Sequence, residues 1–270
     1  MWNLHNIGKL RGSDMLAIER KNEILDKLRA EQRVLVSDLA EYYNVTEETI
    51  RRDLDKLEKE GYATKTYGGA ILGNSTKTDL SYTIRNKTNV EAKNQIAAIA
   101  SRLIEDGDHL MLDDSSTSLY LAKKLKEKKN LTVITNSVEL VVELNGVEGW
   151  TIILTGGRLK PESLALVGDQ AQQMLRHYHV DKVVMSCKGL DLEAGVTDSS
   201  EFHSQTKQSM LRCAKKRILI LDSSKFDKVS FIDIAPLDTF DTVVTNTAPS
   251  RAWLDCFAEH DVECLYPGAK

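Results

Sequence analysis

The sequence predicts an α/β protein in which an N-terminal winged helix-turn-helix domain precedes a mostly parallel, Rossmann-like α/β domain. Residues 15–72 combine helix-period apolar positions with a tight turn and a later hairpin signal. Residues 73–90 hold little apolar material and predict a flexible linker. Over residues 91–267, short apolar runs alternate with helical segments, which is typical of a parallel sheet covered on both faces. The 270-residue length agrees with two domains.

The segment 45–57 predicts a helix that enters a DNA groove. Thr46 is the predicted N-cap, because its hydroxyl can accept an amide proton of the first turn. Asp53 lies close to the buried edge of this helix, so we expect it to pair inside the domain. The apolar face, at the i, i+4, i+7 spacing, consists of Ile50, Leu54 and Leu57.

A shorter helix and a tight turn come just before this segment. Residues 37–43 predict a helix capped by Ser37, and Asn44 is a residue type that tolerates a left-handed turn. Two short helices joined by such a turn make a helix-turn-helix. The alternative is a solvated amphipathic helix, in which Glu48 and Arg52 pair only for surface stability.

Flanking segments complete a winged domain. Residues 62–72 have the composition of two strands around a Gly-Gly turn, with Lys65 placed to meet phosphate. Residues 34–36 predict a short strand that can pair with this wing. A helix is expected over residues 17–30, and its predicted inward side chains are Ile18, Ile24, Leu25 and Leu28.

Several of these segments together resemble a known family. The run Thr-Ile-Arg-Arg-Asp-Leu at 49–54, the pair at 57–58, Gly61 and the run at 68–70 are similar to the N-terminal domain of the DeoR family of bacterial transcription regulators. The resemblance covers residues 15–72 and implies a double-stranded DNA operator as partner. The expected DNA-binding residues are Thr46, Thr49, Arg51, Arg52, Lys56 and Lys65.

Polar residues follow several predicted strands of the second domain. Ligands of such sheets bind beyond the C-terminal ends of the strands. The loop 113–118 follows a strand and opens a helix, so its amides and hydroxyls suit a phosphate. An ordinary Ser/Thr cap is the alternative reading of this loop. The expected effector-binding residues are Asp113, Ser115, Ser116, Thr117, Ser118, Asn136, Lys188, Thr197, Glu201 and Lys225.

The second domain is also similar to the DeoR family. The resemblance rests on the loop 113–118, on Thr-Gly-Gly at 155–157 and on Asp-Ser-Ser-Lys-Phe at 222–226. It implies a domain that binds a phosphorylated sugar, and a repressor of carbohydrate-metabolism genes whose operator binding that sugar modulates. Ser115 stands where the family commonly has glycine, which could narrow the phosphate cradle. A protein that binds two half-sites of one operator is expected to be a homodimer or homotetramer.

The competing hypothesis is a sugar-phosphate isomerase-like enzyme that carries a DNA-binding head. Such chemistry is proton transfer next to a carbonyl, for which Glu201 or Asp222 could be the base and Lys225 an electrostatic stabiliser. The attached DNA-binding head favours the regulator, so we expect no enzymatic activity.

Composition and charge exclude several other classes of protein. The formal net charge is −4, and the basic residues are interspersed with acidic ones, which argues against tight non-specific binding to DNA. The four cysteines form no Cys-x-x-Cys pair, and we expect neither a metal nor a cofactor. No apolar run is long enough for a membrane span and no secretory signal is evident, so a cytoplasmic location is expected. Residues 1–14 show no clear helical start.

Overall fold

The computed structural model describes residues 16–31, 33–59, 62–72 and 82–269. The chain divides into two compact units between Leu80 and Ser81. Residues 1–15 and most of the predicted linker, residues 73–81, lie outside the described residues. Among the described residues, no helix is long and apolar enough to cross a membrane.

The first unit is a winged helix-turn-helix, as predicted. Its strands form one antiparallel sheet with β3 between β1 and β2. Ile24, Leu28, Ile50, Leu54 and Leu57 are fully buried in its core. The elements of the unit are the helices α1 (Ala17–Glu31), α2 (Val36–Tyr43) and α3 (Glu47–Lys59) and the strands β1 (Arg33–Leu35), β2 (Ala63–Thr66) and β3 (Gly69–Leu72).

Local backbone signals explain the turn between the two short helices. Asn44 adopts the left-handed conformation with φ 49°, as predicted, and its N–H donates to Glu41 O at 3.2 Å. The Thr46 hydroxyl accepts from Thr49 N at 3.3 Å, which confirms the predicted cap of α3. The turn and the cap together set where α3 begins.

Two details of this unit differ from the prediction. Ile18 is 64% exposed, because it lies six residues before Ile24 and therefore about 120° away from the buried face at about 100° per residue. Ser37 does not cap α2, since that helix already begins at Val36, directly after β1; the Ser37 hydroxyl donates instead to Asp38 Oδ1.

The second unit contains a longer series of alternating elements. Its helices are α4 (Tyr82–Lys87), α5 (Val90–Ala100), α6 (Ser116–Leu125), α7 (Val138–Leu144), α8 (Asp169–Leu175), α9 (Glu201–Leu211) and α10 (Arg251–Glu259). Its strands are β4 (His109–Leu112), β5 (Thr132–Thr135), β6 (Thr151–Leu154), β7 (Arg158–Lys160), β8 (Ala165–Val167), β9 (Val180–Met185), β10 (Gly189–Asp191), β11 (Gly195–Asp198), β12 (Ala214–Ile220), β13 (Ile232–Ala235), β14 (Thr242–Val244) and β15 (Glu263–Leu265).

The main sheet of this unit has seven parallel strands in the order β15-β14-β12-β9-β4-β5-β6. The predicted Rossmann-like architecture is therefore confirmed. Apolar side chains from both faces of the sheet pack against the helices in two separate core clusters. The chain builds outward from β4 to β6 and then returns to the other side of β4, so β4 and β9 flank the point where the strand order reverses. Open α/β sheets bind ligands at such a point.

Smaller antiparallel sheets lie beside the parallel one and were not predicted. β7 pairs with β8, and β11 lies between β10 and β13. Residues 195–198 form strand β11. A Cβ at Gly189 would lie 2.2 Å from Lys228 O. The backbone at Lys228 can therefore approach β10 this closely only because residue 189 is glycine.

Helix α4 occupies the last part of the predicted linker. Tyr82 is buried, and its N–H donates to Glu162 O at 2.7 Å. The Tyr120 hydroxyl donates to Asn86 O at 3.0 Å, which ties α4 to α6. Residues 82–87 therefore form a packed helix of the second unit, whereas the sequence predicted that they belong to a flexible linker.

Candidate functional sites

Helix α3 presents a polar face to the outside of the first unit. Of the predicted DNA-binding residues, Thr46, Arg51, Arg52, Lys56 and Lys65 are exposed, and Thr49 is partly exposed. The apolar face of α3 packs on the core of the unit. This leaves the predicted residues accessible to a partner molecule.

The cations on this face are paired with neighbouring carboxylates in the free protein. Arg51 lies 2.6 Å from Glu47 and Arg52 lies 3.3 Å from Glu48, each one helical turn away. Exposed pairs of this kind contribute only about 0.2–1 kcal/mol, so they can be exchanged for contacts to phosphate or to bases. Lys65 pairs with an aspartate of α3, and in the free protein it tethers the wing to that helix.

A buried ion pair orients α3 within the unit. Arg20 Nε of α1 donates to Asp53 Oδ2 of α3 at 2.6 Å, and the two side chains are 9% and 2% exposed. The expectation that Asp53 pairs inside the domain is confirmed. The pair lies on the face of α3 that packs on α1, so the exposed stripe carrying Arg52 faces away from it.

In the second unit, the loop 113–118 follows β4, one of the two strands at which the order reverses. Asp113 Oδ1 accepts from Ser115 N at 3.2 Å and from Ser118 Oγ at 2.5 Å. Asp113 Oδ2 accepts from Ser186 N at 2.9 Å, at the end of β9. Ser115 caps α6, because its hydroxyl accepts from Ser118 N at 3.0 Å. The helix geometry leaves the amides of the first turn of α6 without intrahelical partners.

A buried charge cluster supports this loop from α9. Lys207 Nζ lies 2.6 Å from Asp198 and 3.4 Å from Asp113, and it donates to Ser186 O at 2.8 Å. One helical turn earlier, His203 Nδ1 lies 3.3 Å from Asp114. The cluster therefore joins α9 to the loop after β4 and to the end of β9.

Electrostatic pairing favours the charged forms of these buried groups. Burial disfavours the ammonium of Lys207, but the charges of Asp198 and Asp113 outweigh it and raise the pKa of Lys207. Burial likewise favours neutral His203, yet the charge and hydrogen bond of Asp114 raise the pKa of the imidazole. The carboxyl of Asp198 has its pKa lowered, because the charge of Lys207 outweighs burial.

Three further predicted effector residues lie after β5, within β11 and after β9. Asn136 is buried; its Nδ2 donates to Leu166 O at 3.2 Å and lies 3.5 Å from Asp114 Oδ1. The Thr197 hydroxyl donates to Gly189 O at 3.2 Å and accepts from the N–H of residue 230 at 2.9 Å. Lys188 is partly exposed, and its N–H donates to Thr197 O at 2.9 Å.

Glu201 and Lys225 are not brought into contact with the loop 113–118. Glu201 is exposed at the start of α9, where its carboxylate accepts from Gln205 at 3.0 Å. Lys225 ends a short 3-10 turn after β12 and is partly exposed. In the described part of the chain, neither side chain forms a hydrogen bond or ion pair with that loop.

A cavity of about 470 Å³ opens at the same edge of the sheet, between the start of α5 and the loops after β12 and β14. The lining residues are Asn89, Val90, Glu91, Ala92, Gln95, Asp222, Ser223, Ser224 and Asn246. None of the predicted effector residues is among them. The loop 113–118 itself is largely buried, with only Ser115 partly exposed. The structure thus places the predicted phosphate loop beside, and not inside, this cavity.

His203 and Lys207 were not predicted from the sequence. The two residues lie four apart on α9, and Met210 continues the same stripe into the core. A cationic residue within an apolar helical stripe is a signal of a buried charge that needs a partner. That signal was present in the sequence, but it does not say which carboxylates are the partners.

Comparison with known proteins finds matches over both units. Residues 20–76 match the DeoR-like helix-turn-helix domain, and residues 88–247 match the DeoR C terminal sensor domain. An uncharacterized HTH-type transcriptional regulator, YulB of Bacillus subtilis, is 39% identical over 92% of this chain and 96% of its own length. The transcriptional repressor GlcR of the same species is 38% identical over 92% of this chain and 95% of its own.

Two other similarities differ in kind. The L-fucose operon activator of Haemophilus influenzae is 31% identical over 90% of this chain and 97% of its own length. Among solved structures, a ribose 5-phosphate isomerase A from Methanocaldococcus jannaschii is 17% identical with a TM-score of 0.38, over 52% of this chain and 55% of that one. A structural likeness of that size supports no conclusion about activity.

Proposed function

Because this chain belongs to the DeoR family of transcription regulators, we propose that it represses carbohydrate-metabolism genes and that a phosphorylated sugar modulates its binding to the operator. The observation that carries the proposal is the presence, on one chain, of a DeoR-like helix-turn-helix domain and a DeoR C terminal sensor domain. The exposed polar face of α3 and the polar loop at the reversal point of the sheet are consistent with these two roles.

DNA recognition is assigned to the exposed face of α3. Arg52, Thr49 and Arg51 are expected at base edges or adjacent phosphates, and Lys56 and Lys65 at phosphates. The helix begins at Glu47, and the outward-facing side chains of its N-terminal half are exposed, which agrees with the way a recognition helix enters the major groove. The surface ion pairs of the two arginines must break on DNA binding. This costs little free energy, because exposed ion pairs contribute little to stability.

Arg52→Ala is expected to weaken operator binding about 5- to 150-fold, since a bidentate arginine-guanine contact is worth about 1–3 kcal/mol. The affinity can be measured by fluorescence anisotropy, at one fixed salt concentration, on a duplex selected from a random library by the wild-type protein. Arg251→Ala is the matched control, because Arg251 is also exposed and also pairs with a carboxylate four residues away, but in the second unit. Equal affinities of the two variants would contradict the assignment of the α3 face.

The phosphate of the effector is assigned to the start of α6. The amides of Ser116 and Thr117, which helix geometry leaves without intrahelical partners, and the hydroxyls of the same two residues suit an anion. Lys188 follows β9 on the other side of the reversal point and adds positive charge. Because Ser116 and Thr117 are buried, binding there requires the loop to open, and this gives the ligand a means of changing the conformation of the unit.

A phosphorylated sugar is expected to raise the melting temperature, whereas its unphosphorylated parent leaves it unchanged. A ligand at 100 times its Kd contributes about 2.7 kcal/mol, which corresponds to several degrees for a unit of this size. The measurement is a thermal-shift series with hexose and pentose phosphates, the parent sugars and inorganic phosphate. If no phosphorylated sugar changes the melting temperature, the sensor assignment is wrong.

The response to the sugar is proposed to be a shift between two conformations of an oligomer. The free protein, as a dimer or tetramer, holds its DNA-binding domains at operator spacing. The sugar phosphate binds another arrangement of the second unit more tightly and thereby lowers DNA affinity, by no more than its differential affinity for the two states. The relatives named above include a repressor and an activator, so operator release, measured directly, decides the sign for this chain.

The second unit is proposed to bind sugar phosphates without converting them. Lys207, the buried lysine near the loop, is held between Asp198 and Asp113, so it is not available as a free acid or base. A turnover assay with the pentose and hexose phosphates that raise the melting temperature separates a sensor from an enzyme. Formation of an isomerised or deaminated product would favour the enzyme.

A further inference from the structure

We propose that Asn136 and Thr155 form a second part of the effector site, which binds a hydroxyl group of the sugar and not its phosphate. This inference rests on the proposed function, because it takes the sheet edge at the loop 113–118 as the effector site. Thr155 is a new member of the site; it was recognised in the sequence only as part of the Thr-Gly-Gly run at 155–157.

Two buried oxygen atoms have no hydrogen-bond partner among the residues that the structure describes. Asn136 Oδ1 and Thr155 Oγ1 are both in this state, and their residues are 1% and 2% exposed. Most buried side-chain polar atoms are paired, so an unpaired one needs an explanation. Asn136 already uses its Nδ2 group on Leu166 O, so the partner that its oxygen lacks must be a donor.

The two residues lie at adjacent places on the sheet edge. Thr135 of β5 is in register with Leu154 of β6, so Asn136 and Thr155 follow on neighbouring strands. Thr155 N donates to Thr135 O at 2.9 Å, which keeps the two strand ends together. Neighbouring strands are about 4.8 Å apart, a separation that one hydroxyl group can bridge.

The pair also borders the proposed phosphate loop. Asn136 Nδ2 lies 3.5 Å from Asp114 Oδ1, and Asp114 belongs to the loop 113–118. A ligand whose phosphate lies at the start of α6 therefore has its carbon skeleton close to Asn136. The carboxylate of Asp114 repels any further anionic group next to Asn136. The ligand group that binds here is therefore uncharged and can donate a hydrogen bond.

A sugar hydroxyl satisfies both unpaired atoms at once. It can donate its proton to Asn136 Oδ1 and accept the proton of the Thr155 hydroxyl. The two oxygens are buried, so the hydroxyl reaches them only if the strand ends move apart; a Cβ built at Gly156 would meet no atom within 4 Å, which leaves the backbone directly after Thr155 room for such a movement. Gly157, in contrast, has φ 122° and a Cβ there would lie 2.7 Å from Val167 O, so this glycine holds the loop against β8.

The test is a Thr155→Val variant, which replaces only the hydroxyl by a methyl group. The probes are glucose 6-phosphate, galactose 6-phosphate, fructose 1-phosphate and ribose 5-phosphate, each with its available deoxy analogues, and inorganic phosphate; Kd values are measured by calorimetry. We expect the wild type to bind at least one sugar phosphate about five- to tenfold more tightly than one of its deoxy analogues. Thr155→Val is expected to lose this preference and to bind inorganic phosphate as the wild type does.

Thr245→Val is the matched control. Thr245 is 0% exposed, and within the described part of the chain its Oγ1 also has no hydrogen-bond partner. It follows β14, however, which lies five strand spacings or about 24 Å from β6. This variant should keep the hydroxyl preference. Thr155→Ser retains the hydroxyl and should restore the preference that Thr155→Val loses.

The outcomes separate this inference from the proposed function. If no sugar phosphate binds to the wild type, both fail. If sugar phosphates bind but the preference survives Thr155→Val, only the role of Thr155 is overturned. A lower melting temperature of Thr155→Val without ligand, together with unchanged preference, would indicate that a buried water satisfies the hydroxyl, and this would also overturn the inference.

Discussion

Asp53→Ala is expected to unfold the N-terminal unit at 25 °C while the second unit stays folded. The substitution leaves Arg20 buried without its carboxylate partner at 2.6 Å. Breaking a buried pair from one side costs about 3–5 kcal/mol, which is as much as the core of a domain below about 70–80 residues supplies. Circular dichroism and limited proteolysis of the full chain should show the loss of helix from the first unit, and operator binding should disappear with it.

Two further variants make this result specific to the buried pair. Asp55→Ala lies on the same helix but removes a partly exposed carboxylate that pairs with Lys65, so a much smaller change is expected. The double variant Arg20→Met/Asp53→Leu replaces both charges by apolar groups and should recover most of the lost stability. If Asp53→Ala unfolded no more readily than Asp55→Ala, the buried pair would have no part in holding α3.

Lys207→Met is expected to lower the free energy of unfolding of the second unit by about 3–5 kcal/mol at neutral pH. Lys207 is the buried cation that contacts both Asp198 and Asp113, at 2.6 and 3.4 Å, and its removal leaves two carboxylates uncompensated. The loss can be measured by urea unfolding. Lys215→Met is the control: Lys215 pairs with Asp181 at a similar 2.9 Å but is largely exposed, so a loss of at most about 1 kcal/mol is expected.

The contribution of Asp198 to the free energy of unfolding should change with pH in opposite directions in Lys207→Met and in the wild type. In the wild type, Lys207 outweighs burial and lowers the pKa of Asp198, so this carboxylate stabilises the fold above its unfolded pKa of about 3.9, and the gain is lost as pH falls through the lowered value. Without Lys207, burial raises the pKa above 3.9, and stability increases as pH falls through the raised value.

The difference in unfolding free energy between the two proteins should therefore shrink as pH falls from about 7 to about 4. Lys188 and His203 also act on Asp198, but they are present in both proteins and largely cancel in the comparison. A difference that stays constant or grows on acidification would show that Lys207 does not compensate the buried carboxylates.

Local patterns in the sequence were sufficient for the elements whose partners are near in the chain. The cap at Thr46, the left-handed Asn44 and the apolar spacing of α3 each depend on neighbours within about one helical turn. Strand β11 could not be recognised in the same way. Its four residues are too few to show a clear alternation of apolar and polar side chains, and one of its two partner strands, β13, is distant in the chain: Asp233 lies opposite Thr197.

The same limit applies to the candidate site. The loop 113–118 was predicted because it follows a strand and opens a helix, which are local signals. His203 was missed because its partner, Asp114, lies 89 residues earlier in the chain. Glu201 was expected at the site from its position at a helix start, yet it is exposed and bonded to Gln205, because the helix turns His203 and Lys207, and not Glu201, toward the sheet.

The most direct test of the account is an operator-binding titration of the full-length wild type with and without the phosphorylated sugar that gives the largest thermal shift. Fluorescence anisotropy at constant salt reports the Kd. We expect saturating sugar phosphate to raise the Kd for the selected duplex about 5- to 150-fold, the usual range of coupling between two sites, and the unphosphorylated parent sugar to leave it unchanged. An operator Kd that is the same with every phosphorylated sugar that binds would contradict the coupling of DNA recognition to the second unit.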